Sequence, residues 1–259
     1  MCRIIVGMVA GVLMLGTAAA QGTHQPRWIT DAKGCRAWDS YPQPGEAIAW
    51  SGACVNGYAD GEGVMQWSSG GKPGDRYEGS YKEGRMSGHG VFVYAIGSRY
   101  EGEWKDDKHD GHGVFAWANG ERYDGEWKAG NRDGHGVQVF KSGDRYDGDW
   151  RAGKEEGHGA VVLANGDRYD GDVHNNHWSG HGTYTMVKRG TYEGDFKDDL
   201  PNGDGTYHDA SGARFTGTWK NGCYYLNKPR FVQDFAHEGI LGSTVQRAWV
   251  GVEEWQCRK

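Results

Sequence analysis

Five histidines recur at one spacing. His89, His112, His135, His158 and His181 stand 23 residues apart, each between two glycines and near carboxylates, as in DDKHDGHG (106–113) and NRDGHG (131–136). Imidazoles beside carboxylates can ligate a metal or move protons, and glycine-rich loops can cradle phosphate or calcium. A phosphate loop needs its glycines between a strand and a helix N-terminus, with a lysine in place; no helical pattern follows any of these glycines. Neither acidic stretch carries D-x-D/N-x-D/N-G with a Glu six residues on, so no dedicated calcium loop is expected. The one dense histidine cluster, His174, His177 and His181 in HNNHWSGH, is the candidate metal set. No G-x-S-x-G elbow or other nucleophile–base–acid set is visible, so no catalytic residue and no cofactor are assigned.

The spacing itself is the stronger signal. Tyr77, Tyr100, Tyr123, Tyr146, Tyr169 and Tyr192 are 23 residues apart, with Phe215 in the seventh place. A degenerate earlier copy starts at Trp50, and an insertion near Gly70–Gly74 separates it from the rest, giving eight copies over 50–223. A fixed period of this length marks a repeat architecture. With the aromatic as position 0, position +2 is glycine: Gly52, Gly79, Gly102, Gly125, Gly148, Gly171, Gly194 and Gly217. Position +4 is mostly aromatic, as in Trp104, Trp127, Trp150 and Trp219, while charges occupy −1, +1 and +3. Such alternation predicts a half-buried strand whose packed face carries the rings, with the glycine leaving them room.

Position +7 reads Gly, Asn or Asp, residues that tolerate a left-handed backbone, so a tight turn is expected there. Glycines at +11 and +13 are expected to open a second strand, such as Gly111 to Trp117. Asn119-Gly120, Ser142-Gly143 and Asn165-Gly166 are hairpin dipeptides for a second turn. Each copy is then one hairpin, and successive hairpins continue one antiparallel meander. The histidines fall at +12, in a line along one face. With two strands per copy, neighbours in that line are ~10 Å apart, too far to share a zinc ion whose nitrogens lie at ~2.1 Å. They remain a candidate pH-responsive surface.

Composition agrees with this organisation. Of 259 residues 45 are glycine and six proline, and Trp and Tyr are abundant, which excludes both collagen and a disordered linker. Residues 1–20 (MCRIIVGMVAGVLMLGTAAA) read as a secretory signal cleaved after Ala20, because the apolar run Ile4–Leu15 is shorter than the ~20 residues of a membrane span. The net charge of −6 becomes −7 once Arg3 is removed, and four of the five cysteines remain. An acidic body argues against nucleic acid. The arginine column (Arg76, Arg99, Arg122, Arg145, Arg168, Arg214) is expected to pair with acids across strands, and membrane binding is not expected without another factor, since clustered Lys/Arg is missing.

The pattern Y-E/D-G-x-W-x-x-G-x-x-x-G-x-G at a 23-residue period resembles the MORN repeat. The resemblance implies an all-β fold, an elongated single-layer solenoid-like meander of stacked hairpins. Val173 and Cys54 depart from it at +4, and Asp107, Asn176 and Asp199 at +7. Eight copies would make a rod of ~75 Å. Segments 21–49 and 224–259 would cap its open edges, the second with a short helix over 244–256 or, through WVGVEEW, a strand. MORN repeats occur beside kinase or methyltransferase domains in some members, but neither remaining segment can hold one. The reading is a non-enzymatic, periplasmic or secreted scaffold for protein partners in the cell envelope or a second copy of itself; an envelope glycan- or lipid-binding module is the alternative. Cys35, Cys54, Cys223 and Cys257 allow three pairings. The ends of such a rod lie far beyond the ~7 Å that a disulfide allows, which leaves Cys35–Cys54 and Cys223–Cys257. The stretch around Cys35 and Cys54 also resembles the paired-cysteine entry of some bacterial MORN arrays.

Overall fold

The structure, a computed structural model, describes residues 25–225 and 255–256. They fall into two compact units divided between Lys154 and Glu155. In the first, strands Glu46–Trp50, Tyr58–Ser69, Lys72–Lys82, Arg85–Val93, Arg99–Lys105, Lys108–Ala116, Arg122–Lys128, Asn131–Val139 and Arg145–Arg151 run as an antiparallel meander. In the second, strands Lys154–Val162, Arg168–His174, His177–Met186, Gly190–Lys197, Leu200–Asp209, Arg214–Lys220 and Cys223–Tyr225 do the same. No helix occurs among the described residues.

Each unit is one sheet thick, so its apolar face must bury itself. It does so with rings set edge to face. Trp127 stands between its own Tyr123 (centroids 5.1 Å apart, planes at 87°) and Tyr100 of the preceding copy (5.7 Å, 87°), and Trp104 stands likewise between Tyr100 and Tyr77. Edge-to-face geometry is the favoured approach of two ring quadrupoles. It leaves Tyr77, Tyr100 and Tyr123 with no solvent exposure. The Tyr123 hydroxyl donates to the Glu126 carbonyl (3.0 Å), and the Trp127 indole N–H donates to the Gly113 carbonyl of the preceding copy (3.1 Å). Both polar ends of the buried rings are satisfied, the second by a bond that ties copy to copy.

The two inner glycine columns follow from the same packing. Gly125 pairs with Gly136 on one side and Gly113 on the other. A Cβ at Gly136 would fall within the Tyr123 ring, and one at Gly125 would meet the Cα of Gly136. Position +2 therefore admits a neighbouring glycine backbone and a tyrosine hydroxyl, more than the neighbouring rings that alternation suggested.

Two local expectations are corrected. The second strand opens at +8, as in Asn131–Val139, and the +11 glycine lies inside it at a bulge, where the register slips between Gly125 and Trp127 and Gly134 has φ 108°. The dipeptides Asn119-Gly120 and Asn165-Gly166 are the last two residues of three-residue loops: Trp117 N–H bonds the Glu121 carbonyl (2.9 Å), Gly120 alone is left-handed, and the Asn119 side chain accepts the Glu121 N–H (3.0 Å). The two-residue turn lies instead at +6 and +7, where Ala129 and Gly130 both have positive φ, and Glu83, Asp106 and Ala152 match Ala129. Two left-handed residues give the twist that strands in a two-residue hairpin need. The segment 244–256, expected as helix or strand, lies outside the described residues except for Trp255–Gln256, which form a strand paired with Tyr224 and Tyr225.

The N-terminal segment is partly repeat and partly cap. Glu46–Trp50 is the first strand of the meander, paired with Met65–Ser69. Trp50 occupies position 0, and its indole N–H bonds the Ala53 carbonyl (2.7 Å) as the tyrosine hydroxyls bond theirs. Ahead of it, strands Arg27–Thr30 and Arg36–Asp39 form a hairpin whose connecting turn reaches the edge at Trp50. The Asp31 carboxylate accepts the Trp50 N–H (3.4 Å), and Lys33 donates to the Trp50 carbonyl (3.2 Å). Side chains thus occupy backbone groups that another strand would otherwise pair with. The Cys35–Cys54 disulfide (Cα–Cα 5.6 Å) fastens this turn to the first copy, at the +4 position where other copies carry Trp. Cys223 is disulfide-bonded too, and Cys257 lies outside the described residues.

Candidate interaction surface

Residues at −1, +1, +3 and +12 share the face opposite the rings. Arg122 pairs with Asp124 (2.8 Å) on its own strand, and His112 of the preceding copy reaches the same carboxylate from across the ladder (3.2 Å). One copy on, Arg145, Asp147 and His135 repeat the arrangement (2.7 and 3.3 Å). The arginine column therefore pairs along a strand, two residues apart, and not across strands as its alternation with acids suggested; the cross-strand partner is the +12 histidine. That histidine was identified from the sequence, but its carboxylate was not, because the +12 residue stands opposite the next copy's +3 and reaches its +1 diagonally, as His112 stands opposite Glu126 and reaches Asp124. In the second unit His158 meets Asp170 (3.2 Å) and His181 meets Asp195 (3.4 Å). Each of these contacts is exposed and worth little alone. Their significance is positional: the Arg–Asp–His set stands in register in two successive copies of the first unit, whereas His181 reaches the +3 carboxylate of the next copy.

The candidate metal residues separate. His174 bonds Glu156 (2.9 Å), His177 bonds Asp199 (2.8 Å) and His181 lies against Asp195, so each imidazole has its own carboxylate. The Asp199 hydrogen bond raises the His177 pKa. Among the described residues no three His, Cys, Asp or Glu side chains converge closely enough to hold an ion.

A seam along the +6/+7 turns explains the residues there. The +7 N–H donates to the +9 carbonyl of the preceding copy, as Gly130 to His109 and Asp107 to Met86 (2.9 and 3.2 Å). Where +7 is Asp or Asn, its side chain also accepts the +9 N–H: Asp107 from Met86, Asn176 from Glu155 and Asp199 from Trp178 (2.9, 2.9 and 2.8 Å). Gly222 faces Pro201, which has no N–H to give. The departures at +7 are thus a reciprocal clamp. Asp107 also holds Arg85 (2.7 Å), although its burial pushes its carboxyl up to about 6.

Position +9, unremarked in the sequence, lids the aromatic face. His109 stacks on Tyr100 (3.6 Å, 15°), Arg132 lies over Trp150 (3.9 Å), and Trp178 stacks on Tyr169. Burial among rings pulls the His109 imidazole down to about 4. Beyond these lids Tyr94, Phe115 and Trp117 are half-exposed, in a run of ring contacts from Phe92 (4.4, 5.7 and 4.5 Å).

Comparison with known proteins matches this geometry at the level of sequence. The profile of the MORN repeat matches residues 52–72, 77–99, 100–122, 123–145, 146–168, 169–191 and 192–214. No curated protein matches. Among solved structures, the TCP domain of SAS-4 of Drosophila melanogaster, in complex with a proline-rich motif of dSTIL, is 14% identical over 79% of this chain and 97% of its own, at a TM-score of 0.30. A streptogramin B lyase is 8% identical over 78% of each chain, at a TM-score of 0.18. Both scores are too low to support an argument. The seven matched repeats cover well over half of the chain, and their tyrosine, glycine and tryptophan columns are the ones that pack each unit: this protein belongs to the MORN repeat family.

Proposed function

We propose that the protein is an exported, non-enzymatic scaffold that binds a protein partner, or a second copy of itself, along its polar face. MORN repeats are in general modules of protein or membrane interaction, which fits such a role. The observation that carries the reading is the recurrence of one Arg–Asp–His set, Arg122/Asp124/His112 and Arg145/Asp147/His135, in register on the exposed face. The opposite face spends its aromatic columns on internal packing. A regular array of directional charged groups suits a partner that makes the same contact at several copies, so that weak contacts add through multivalency. Export rests on residues 1–20 and is supported by the Cys35–Cys54 disulfide, a bond that persists in oxidising compartments.

A glycan reading has one observation in its favour, the half-exposed rings Tyr94, Phe115 and Trp117. Incubating the mature protein with cell-wall polysaccharide, liposomes and envelope proteins separates the two. Selective protein capture supports the scaffold; saturable binding of glycan or lipid overturns it. Light scattering tests the self-association arm, for which a monomer at micromolar concentration and above is the contrary result.

A further inference from the structure

We propose that the hairpin turn carrying Asp31 and Lys33 plugs the first strand of the meander, Glu46–Trp50, and that this edge, once unplugged, pairs with the same strand of a second copy. The Ser51 N–H bonds the Val64 carbonyl (3.0 Å). By the alternation of an antiparallel ladder, Ala47 and Ala49 then turn their backbone groups towards Tyr58–Ser69, while Glu46, Ile48 and Trp50 turn theirs outwards. An outward row of this kind is a template for another strand. Here it is occupied at both ends. The Glu46 N–H goes to the Gln43 carbonyl (3.2 Å). At Trp50 the Asp31 Oδ2 accepts the N–H (3.4 Å) and the Lys33 Nζ donates to the carbonyl (3.2 Å), so two side chains imitate the acceptor and donor of a neighbouring strand.

The plug is held in place by its own turn. Asp31 is 8% exposed, and its Oδ1 accepts the N–H groups of Lys33 and Cys35 (2.8 Å each), which offsets the cost of burying a carboxylate. The Cys35–Cys54 disulfide ties the end of the turn to the first copy. The strand has little protection of its own. Ala47, Ile48, Ala49 and Trp50 carry no charge, and their register with Tyr58–Ser69 has no bulge. Keeping another strand away therefore falls to the hairpin. The edge is also self-complementary, because its outward residues are spaced evenly about Ile48. In an antiparallel second copy Ile48 meets Ile48 and Glu46 meets Trp50, so each outward N–H faces an outward carbonyl. The exposed side chains beside them, Ala47 and Ala49, are small and uncharged. A two-fold contact of this kind closes on itself at a dimer. It concerns this edge alone and does not depend on a partner at the polar face.

Analytical ultracentrifugation of the full chain and of the double variant Asp31→Asn, Lys33→Ala tests the plug. A carboxamide cannot accept from both the turn and Trp50, and without Lys33 the Trp50 carbonyl is released. The variant should self-associate tenfold or more tightly than wild type, a difference that self-association through the polar face would not produce. In that background, a mixture of Ala47→Cys and Ala49→Cys chains should cross-link more readily than either chain alone, because residue 47 stands opposite residue 49 of the second copy. Equal association of wild type and a folded variant overturns the proposal, and so does association without the preferred 47–49 cross-link. Should the double variant not fold, the exposed Lys33→Ala alone decides. A threefold or greater gain in association supports the plug, and no gain refutes it.

Discussion

Trp178 lies flat on Tyr169, with ring centroids 4.2 Å apart and planes within 3°, in the copy whose +4 residue is Val173. In the preceding copies the +4 indole stands on edge against its own tyrosine, as Trp150 does against Tyr146 at 5.2 Å. Val173 cannot do this, and the +9 side chain of the same copy supplies the missing ring instead.

Trp178→Ala should therefore destabilise the second unit by about 2 kcal/mol, below the range for fully buried aromatics because Trp178 is half-buried. Adding Val173→Trp to that variant should recover part of the loss by restoring the edge-on ring. Denaturant titration of the three proteins checks this; equal midpoints for Trp178→Ala and wild type would contradict it.

Two glycines separate steric from conformational need. Gly136→Ala places a methyl group inside the Tyr123 ring and should cost about 2 kcal/mol or more. Gly120 has φ 93° and open space around its Cβ position, so Gly120→Ala should cost about 1 kcal/mol from backbone strain alone. Thermal unfolding of both variants measures the order, and the reverse order would rule out the packing assigned to the +13 column.

His109 and His177 should respond to pH with opposite signs. Burial holds His109 at about 4 when folded against 6.5 when unfolded. Its contribution is complete above pH 6.5 and is lost as pH falls towards 4, by up to about 3 kcal/mol. His109→Phe should abolish that loss. His177 is raised by Asp199, so its contribution is present below pH 6.5 and lost as pH rises; its exposure keeps the effect small. Stability of wild type and His109→Phe between pH 4 and 7 decides, and parallel profiles would contradict the assignment.

What was legible in the sequence follows the period. Tyrosine, glycine and tryptophan columns announced themselves because each copy faces the same packing problem. The turn at +7 was legible from Gly, Asn and Asp, but the left-handed +6 was not, since Glu83 and Ala129 give no such signal and adopt it under the twist of the hairpin. The +9 lids were hidden because Met86, His109, Arg132 and Trp178 share no residue type. His109, Arg132 and Trp178 have in common only that each lies against the tyrosine ring of its own copy. The carboxylate partners of the histidines were hidden because each lies diagonally across the ladder: His112 stands opposite Glu126 but reaches Asp124, and His135 stands opposite Asp149 but reaches Asp147.

The antiparallel register of Tyr224 with Gln256 is the one that a Cys223–Cys257 bond requires. Non-reducing peptide mapping should find that bond beside Cys35–Cys54, worth about 3–4 kcal/mol by loop closure. A peptide linking either of Cys35 and Cys54 to either of Cys223 and Cys257 within one chain would contradict the pairing.

The most direct test of the scaffold is capture from the native envelope by wild type and by the Arg122→Glu, Arg145→Glu double variant, with cross-linked partners quantified. Both arginines are exposed, so the fold should survive by circular dichroism. Loss of specific partners by tenfold or more in the variant is the expected result. Undiminished capture by a folded variant would contradict the claim that the polar face is where this protein binds.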